Sequence, residues 1–297
     1  MLRLREFTIA EVEFFYLNFS DTEIPDEELV IFSNGMQRPE KISTKEILDK
    51  KIVKNPYILH YMVVTKRFFE CIGMDMENYR VREHREDELA HYANECWDFE
   101  FKSGEGWVEL CGIADRGRYD LSSHMKHSKV DMSVLFEGEK VIPKVVEPSF
   151  GIDRIVYLLL EKSASRDDRR FFFRFKPYVA PVKTAVFPLL EREQLTKVAK
   201  DIYNELKYEF PSIYDSRGSI GRRYRRIDEI GVPFAITVDF DTLENGTVTV
   251  RDRDTMLQER VSIKSLKEYL KNRIYAVSYT HLRAHETRHD LVCRLLL

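Results

Sequence analysis

Apolar and polar positions along the 297 residues follow one pattern up to about residue 176 and another after it. Leu2 to Phe15 alternates as a half-buried strand does, with Arg3, Arg5, Phe7, Ile9, Glu11 and Glu13 on one face. Residues 20–55 are polar and include Pro25 and Pro39. One short helix is expected there, near Ser43–Lys50, with Ser43 or Thr44 as cap and Glu46 near its third position. Pro56 to Ile72 has the length and apolar density of a helix, Tyr79–His84 reads as extended, and Gly106–Gly117 is an apolar strand with one acid, Glu109, inside it. A short connector, Lys129–Lys144, leads to Val145–Leu160, which reads as the end of a buried strand, a tight turn and a buried helix. Pro148 cannot donate to a sheet ladder, so the strand is expected to end near it, with Ser149 as helix cap. Apolar residues from Ile152 to Leu160 then fall on nearly every side of the helix.

After a charged loop (163–170) and Phe171–Phe175, short apolar strands alternate with helices. Val182–Leu189, Glu191–Tyr208, Ser212–Tyr214, Gly221–Ile230, Phe234–Phe240, Thr247–Arg251 and Val261–Leu270 make up this series. The alternation predicts a small α/β domain with a mixed sheet. The resulting division is 1–176, 177–276 and a compositionally distinct tail, 277–297.

Composition adds exclusions. No apolar run approaches the ~18 residues of a membrane span. A formal net charge of −3 leaves any nucleic-acid contact to a local patch. Cys71, Cys96, Cys111 and Cys293 are far apart with no Cys-x-x-Cys pair, which argues against zinc and suits a reducing compartment.

Several residues carry candidate chemistry. Arg154 falls in the first turn of a helix, where a cation gains nothing from the dipole. With the free N–H groups it would attract an anion such as a phosphate; a buried Glu147–Arg154 pair is the alternative. The strand face running from Arg3 through Phe7 to Glu11 could lay out a nucleotide or zwitterionic ligand lengthwise, or simply face solvent with cross-strand ion pairs. Glu109 within an apolar strand needs a partner arginine or a metal. His84 and His91 read as structural histidines with a backbone or carboxylate partner. Arg217, Arg222, Arg223, Arg225 and Arg226, with Tyr224 among them, suit RNA phosphates and unstacked bases. The alternative is a solvated helix face countered by Asp228 and Glu229. Gly218–Gly221 is at most a weak phosphate loop.

The stretch from Val145 to Leu160 resembles motif 3 of the class II aminoacyl-tRNA synthetases. Its Glu147-Pro148-Ser149-Phe150-Gly151 followed by Arg154 is similar to the dimeric glycyl-tRNA synthetases of eukaryotes and archaea. Arg3–Glu11 resembles the second strand of motif 2 in the same family. Glu88–Asp98, Tyr119–His124, Gly218–Tyr224 and Val250–Asp254 are also family-like, so the resemblance runs from Arg3 to about Leu270.

The resemblance implies an α/β (α+β) architecture: an antiparallel-sheet class II catalytic domain, partial over 1–176, followed by a small mixed-sheet anticodon-binding domain. It implies a cytoplasmic glycine–tRNA ligase that converts glycine and ATP, with Mg2+, to glycyl-adenylate and transfers glycine to tRNA(Gly). A homodimer is expected for the complete enzyme. Glu11, Glu147, Pro148 and Ser149 would bind glycine. Arg3, Leu4, Phe7, Glu109, Leu110 and Arg154 would bind ATP, with Glu109 also at the metal, and Glu11 and Arg154 would be the catalytic pair. The five arginines between Arg217 and Arg226 would touch tRNA. The family's motif 1 dimer interface, the motif 2 Arg-x-Glu strand and an upstream glycine-recognising glutamate have no counterpart in this chain, so it is expected to form no adenylate as it stands. The different reading is a non-catalytic paralogue that binds tRNA or a protein partner through its second domain. Eukaryotic members carry a long insertion before motif 3, and its absence points to an archaeal-like or reduced form. The tail places His281, His285 and His289 at helical spacing but resembles translated sequencing-adaptor read-through, and is expected to contribute nothing.

Overall fold

The computed structural model describes residues 5–19 and 23–275. Arg3, Leu4 and the tail lie outside them. The chain divides into two compact units, one of 1–70 and 74–158, the other of 71–73 and 159–297. The division thus falls earlier than the change of pattern near 176.

The first unit runs β1 (Ile9–Glu11), β2 (Phe14–Tyr16), β3 (Glu28–Phe32), β4 (Glu40–Ser43), α1 (Thr44–Asp49), α2 (Pro56–Ile72), β5 (Tyr79–Glu83), β6 (Glu95–Ser103), β7 (Gly106–Gly117), α3 (Tyr119–Ser128), β8 (Val134–Phe136), β9 (Glu139–Val141), β10 (Lys144–Gly151) and the start of α4 (Ile152–Ser163). Helix α1 begins as its sequence dictates: the Ser43 side chain accepts from the Glu46 amide. The 129–144 connector contains the β8–β9 hairpin. The main sheet has the order β1-β10-β7-β6-β5-β3-β4, with β2 also on β10, and is antiparallel except for β3 against β5. One face is apolar. Phe69 of α2 packs on Phe99 and Phe101 of β6, with ring centroids 5.5 and 4.9 Å apart, and Trp97 is fully buried on the same face. Alternation along β6 sends Cys96, Asp98 and Glu100 to the other face.

The opening strand is broken. β1 and β2 both pair with β10, at Glu11↔Ser149 and Val146↔Phe14, and the gap between them lies opposite Pro148. Pro148 does not end its strand as expected; β10 continues to Gly151. In an antiparallel strand a residue's N–H and C=O point to the same neighbour. The Pro148 carbonyl accepts from the Val12 amide at 3.0 Å, so the side of Pro148 that lacks an N–H is directed at the break and not at β7. Ser149 is accordingly a strand residue and not a helix cap.

The second unit contains β11 (Ala164–Arg166), β12 (Phe171–Phe173), β13 (Thr184–Pro188), α5 (Glu193–Leu206), β14 (Ser212–Tyr214), α6 (Ile220–Glu229), β15 (Phe234–Val238), α7 (Phe240–Asn245), β16 (Thr247–Asp252), β17 (Gln258–Ser262) and α8 (Ile263–Tyr275). Its mixed sheet has the order β14-β13-β15-β16-β17. Leu195, Ala199, Ile202 and Leu206 of α5 pack with Leu266, Leu270 and Ile274 of α8 in its main core. The stretch expected as one element over Val261–Leu270 is the end of a strand followed by a helix. The strand β17 has only Val261 buried, too little alternation to be seen in sequence.

Candidate active site

The polar face of the first sheet is organised in rows. Glu11, Ser149, Gly112, Asp98 and Arg82 stand opposite one another across five strands. The next row holds Glu147, Ala114 and Cys96. The two smallest side chains therefore lie mid-sheet, with carboxylates on either side. A Cβ added to Gly112 would meet Glu109 Oε1 at 3.6 Å and Asp98 Oδ1 at 3.8 Å. The result is a depression floored by Gly112 and Ala114.

Glu109 reaches this face because of a bulge. The β6–β7 register runs Phe99↔Cys111 and then Glu100↔Glu109, so Leu110 is the extra residue. Three residues apart, Glu109 and Gly112 would otherwise face opposite sides; the bulge re-aims Glu109. It also turns the Leu110 side chain into the core, where it is 1% exposed. The expected ATP contact of Leu110 is corrected to its backbone at most.

The alternative Glu147–Arg154 pair is not formed, whereas Glu109 does have a partner arginine, supplied by α4. Arg154 Nη1 donates to the Glu109 carbonyl and to Glu109 Oε2, both at 3.0 Å, from a helix and not from a neighbouring strand. Glu147 pairs instead with Arg116, whose Nη1 lies 2.9 Å from its carboxylate. The Ser149 hydroxyl donates to Glu11 Oε1 at 3.3 Å. Burial pushes the Glu147 carboxyl above its ordinary value; Arg116 pulls it back only in part, and Glu11 and Glu13 add to the rise. Arg116 is thus divided between Glu147 and Asp120, while Glu11 and Glu13 add negative charge beside Glu147, an arrangement that favours an incoming positive group. Phe7 is 62% exposed, its ring open to stacking, and Pro148 is buried.

Arg116 was not singled out in the sequence. Its Nε and Nη2 hold Asp120 at 2.5 and 3.0 Å, and the Tyr92 ring lies 4.3 Å from its guanidinium carbon. The only signal was the family-like stretch from Tyr119, which places Asp120 one turn from Arg116. His91 contacts the Tyr119 hydroxyl at 3.1 Å. His84 stands beside Asp98, 2.8 Å away, a carboxylate contact that raises its pKa to about 10. His91 thus has a partner expected of a structural residue, and His84 has a carboxylate beside it.

In the second unit the arginines divide. Arg217, Arg222, Arg225 and Arg226 are exposed on α6 and the turn before it. Arg226 is tied to Asp215 and to the Arg217 carbonyl. Arg223 is corrected: it is 2% exposed and donates to the carbonyls of Pro188 and Leu189, at 2.5 and 3.1 Å, so it cannot reach RNA. Tyr224 is likewise occupied, its hydroxyl 2.7 Å from Thr237 Oγ1 and its ring against Arg251. Asp228 does not counter the arginine face; it is buried between Arg170 and Arg251. Arg253 donates to the carbonyls of Gly231 and Phe175, so the 250–254 segment is scaffolding.

Residues 178–273 match the anticodon binding domain family. Over nearly its whole length the chain is similar to glycine–tRNA ligases. It is 36% identical to the glycine–tRNA ligase of Methanocaldococcus jannaschii over 92% of its own length and 64% of that protein's. The figures are 36%, 90% and 62% for the Methanothermobacter thermautotrophicus protein, and 36%, 93% and 64% for that of Pyrococcus furiosus. The chain therefore spans under two thirds of the length of these relatives. The first alignment covers 371 positions, more than the 297 residues of this chain, so the archaeal relative carries sequence opposite gaps in it. Among the described residues no helix is long and apolar enough to cross a membrane.

Proposed function

We propose that the first unit is the glycine-activating site of a glycine–tRNA ligase and that the second binds tRNA(Gly). The observation that carries this reading is the convergence of Glu11, Glu147 and Ser149 beside a depression floored by Gly112 and Ala114. The two carboxylates bind the glycine ammonium, and Arg116 holds Glu147 in place. Ser149 completes the pocket together with Pro148, its neighbour in β10. Larger amino acids are refused by steric exclusion, since glycine offers no side chain to grip.

Arg154 and Glu109 face the ATP, Phe7 stacks on adenine, and Arg3 and Leu4 supply further nucleotide contacts. Glu109 and Asp98 approach the same point above Gly112, and Glu109 fits a hard cation such as Mg2+ there, which would neutralise phosphate charge. The glycine carboxylate attacks the α-phosphorus in line and pyrophosphate leaves; a terminal ribose hydroxyl of tRNA then attacks the glycyl carbonyl, forming the ester as AMP leaves. The chain's own part is positioning and charge compensation. Arg217, Arg222, Arg225 and Arg226 contact tRNA backbone. A cytoplasmic homodimer is part of the same reading, and so is the division into 1–176, 177–276 and a functionless 277–297. The decisive assay is ATP–pyrophosphate exchange across an amino-acid panel, using the protein extended to its relatives' length. Exchange with glycine alone supports the reading; none with glycine favours a paralogue that binds only RNA or protein.

A further inference from the structure

We propose that His84, Cys96 and Asp98 form a binding site for a soft divalent transition metal, with zinc as its first occupant. Cys96 and Asp98 are two apart on β6 and so share a face. His84 follows β5, and its amide donates to the Cys96 carbonyl at 3.0 Å, which fixes it beside them. One ligand atom from each residue lies within 4.8 Å of the others. Tetrahedral zinc, with Zn–S of about 2.3 Å and Zn–N or Zn–O of about 2.0–2.2 Å, needs ligand atoms roughly 3–4 Å apart. Small side-chain rotations supply that.

Two observations separate a ligand set from an ordinary polar cluster. Both ring nitrogens of His84 are buried, and neither makes a directed hydrogen bond. Nε2 is 2.8 Å from Asp98 Oδ1, but off the direction a ring N–H would take. Buried polar atoms normally make directed hydrogen bonds, so a ring whose nitrogens have close donor and acceptor neighbours but no such bond is placed to take a further partner in exchange for its proton. Asp98 is also oriented from behind, its other oxygen held by Arg82 Nη2 at 2.8 Å, and Arg82 itself is steadied by Glu100 and Glu88. Such outer support is what a metal-binding carboxylate requires.

The donor set decides the class of ion. Thiolate, imidazole and carboxylate together favour zinc over magnesium or calcium. A thiolate and a carboxylate balance its charge, and three protein ligands leave a fourth position open to the polar face of the sheet. The cysteine spacing argued against zinc only for sites built along the chain; this one is built across two strands. It does not depend on the glycine-activating function.

The test is zinc titration of the metal-stripped full chain against a chromophoric chelator. Parallel titrations use Cys96→Ser, His84→Asn and a full-length variant with His281, His285 and His289 all changed to alanine. Wild type and the tail variant are expected to bind one equivalent, and Cys96→Ser and His84→Asn to bind about 100-fold more weakly. Because a strand variant could fail to fold, wild-type Cys96 is also mapped by alkylation, which one equivalent of zinc should block. Absence of stoichiometric zinc in wild type, binding that survives Cys96→Ser, loss of binding in the tail variant, or undiminished alkylation of Cys96 overturns the proposal.

Discussion

Arg116 and Glu147 face each other across the β7–β10 strand pair, with Nη1 2.9 Å from the Glu147 carboxylate while the other nitrogens hold Asp120. Arg116 thereby pulls the Glu147 carboxyl down against the burial that raises it. In the protein extended to its relatives' length, Arg116→Met should raise the glycine KM about tenfold through loss of a charged hydrogen bond. The pH at which glycine binding appears should also move upward, because the carboxylate must lose its proton without a cation beside it. Arg116→Lys should restore most of the pH profile. A KM change with no movement of that profile would assign Arg116 a packing role only.

Stability should record the same burial with a definite sign. The Glu147 carboxyl is raised above its ordinary 4.5, so the folded state holds that proton more tightly than the unfolded one. Its favourable contribution is complete below pH 4.5 and is lost as pH rises through the folded value; above that, the ionised group is a cost. Glu147→Gln should therefore melt higher than wild type at neutral pH, and the gain should shrink on acidification. Thermal melts over a pH series check this; a neutral-pH melt below wild type would contradict it.

The arginines of α6 should separate by readout. Arg223→Ala leaves the Pro188 and Leu189 carbonyls without their donor inside the unit, and should lower stability by about 2–4 kcal/mol. Arg222→Ala and Arg225→Ala should leave the melting temperature within about a degree, and each should reduce the salt slope of tRNA binding by about 1. Denaturant melts and tRNA titrations at several salt concentrations distinguish the two groups.

Two glycines make a further contrast. Gly231 has φ +79°, and an added Cβ would lie 2.5 Å from Phe175 Cδ2, so Gly231→Ala should destabilise by about 2–4 kcal/mol. At Gly112 an added Cβ makes only ordinary contacts, so Gly112→Ala should melt near wild type. It fills the floor of the depression, and glycine-dependent exchange should fall even so. Melting curves and exchange rates on both variants test the pair.

Much of this was legible in the chain because it is local. The Ser43 cap, the helix at Pro56–Ile72 and the strand at Gly106–Gly117 all follow from neighbouring residues. Pro148 misled because its missing donor is accommodated by a break in a different strand, some 135 residues earlier in sequence. The facing of Glu109 depends on a bulge, and a one-residue slip reverses every later side chain. Arg223 and Arg225 look alike in sequence, but only the first points into the core of its unit, toward carbonyls at the end of β13. The identity of the partners of Glu147 and Arg154 is likewise a property of the sheet and its register, beyond the reach of spacing.

The most direct measurement is steady-state glycine- and ATP-dependent pyrophosphate exchange with Glu147→Gln in the protein extended to its relatives' length. Glu147 is proposed to grip the glycine ammonium and to leave ATP untouched. Loss of one charged hydrogen bond, about 1.5–3 kcal/mol, predicts a glycine KM raised roughly 10- to 150-fold with the ATP KM unchanged. An unchanged glycine KM, or an equal rise in both constants, would contradict the assignment.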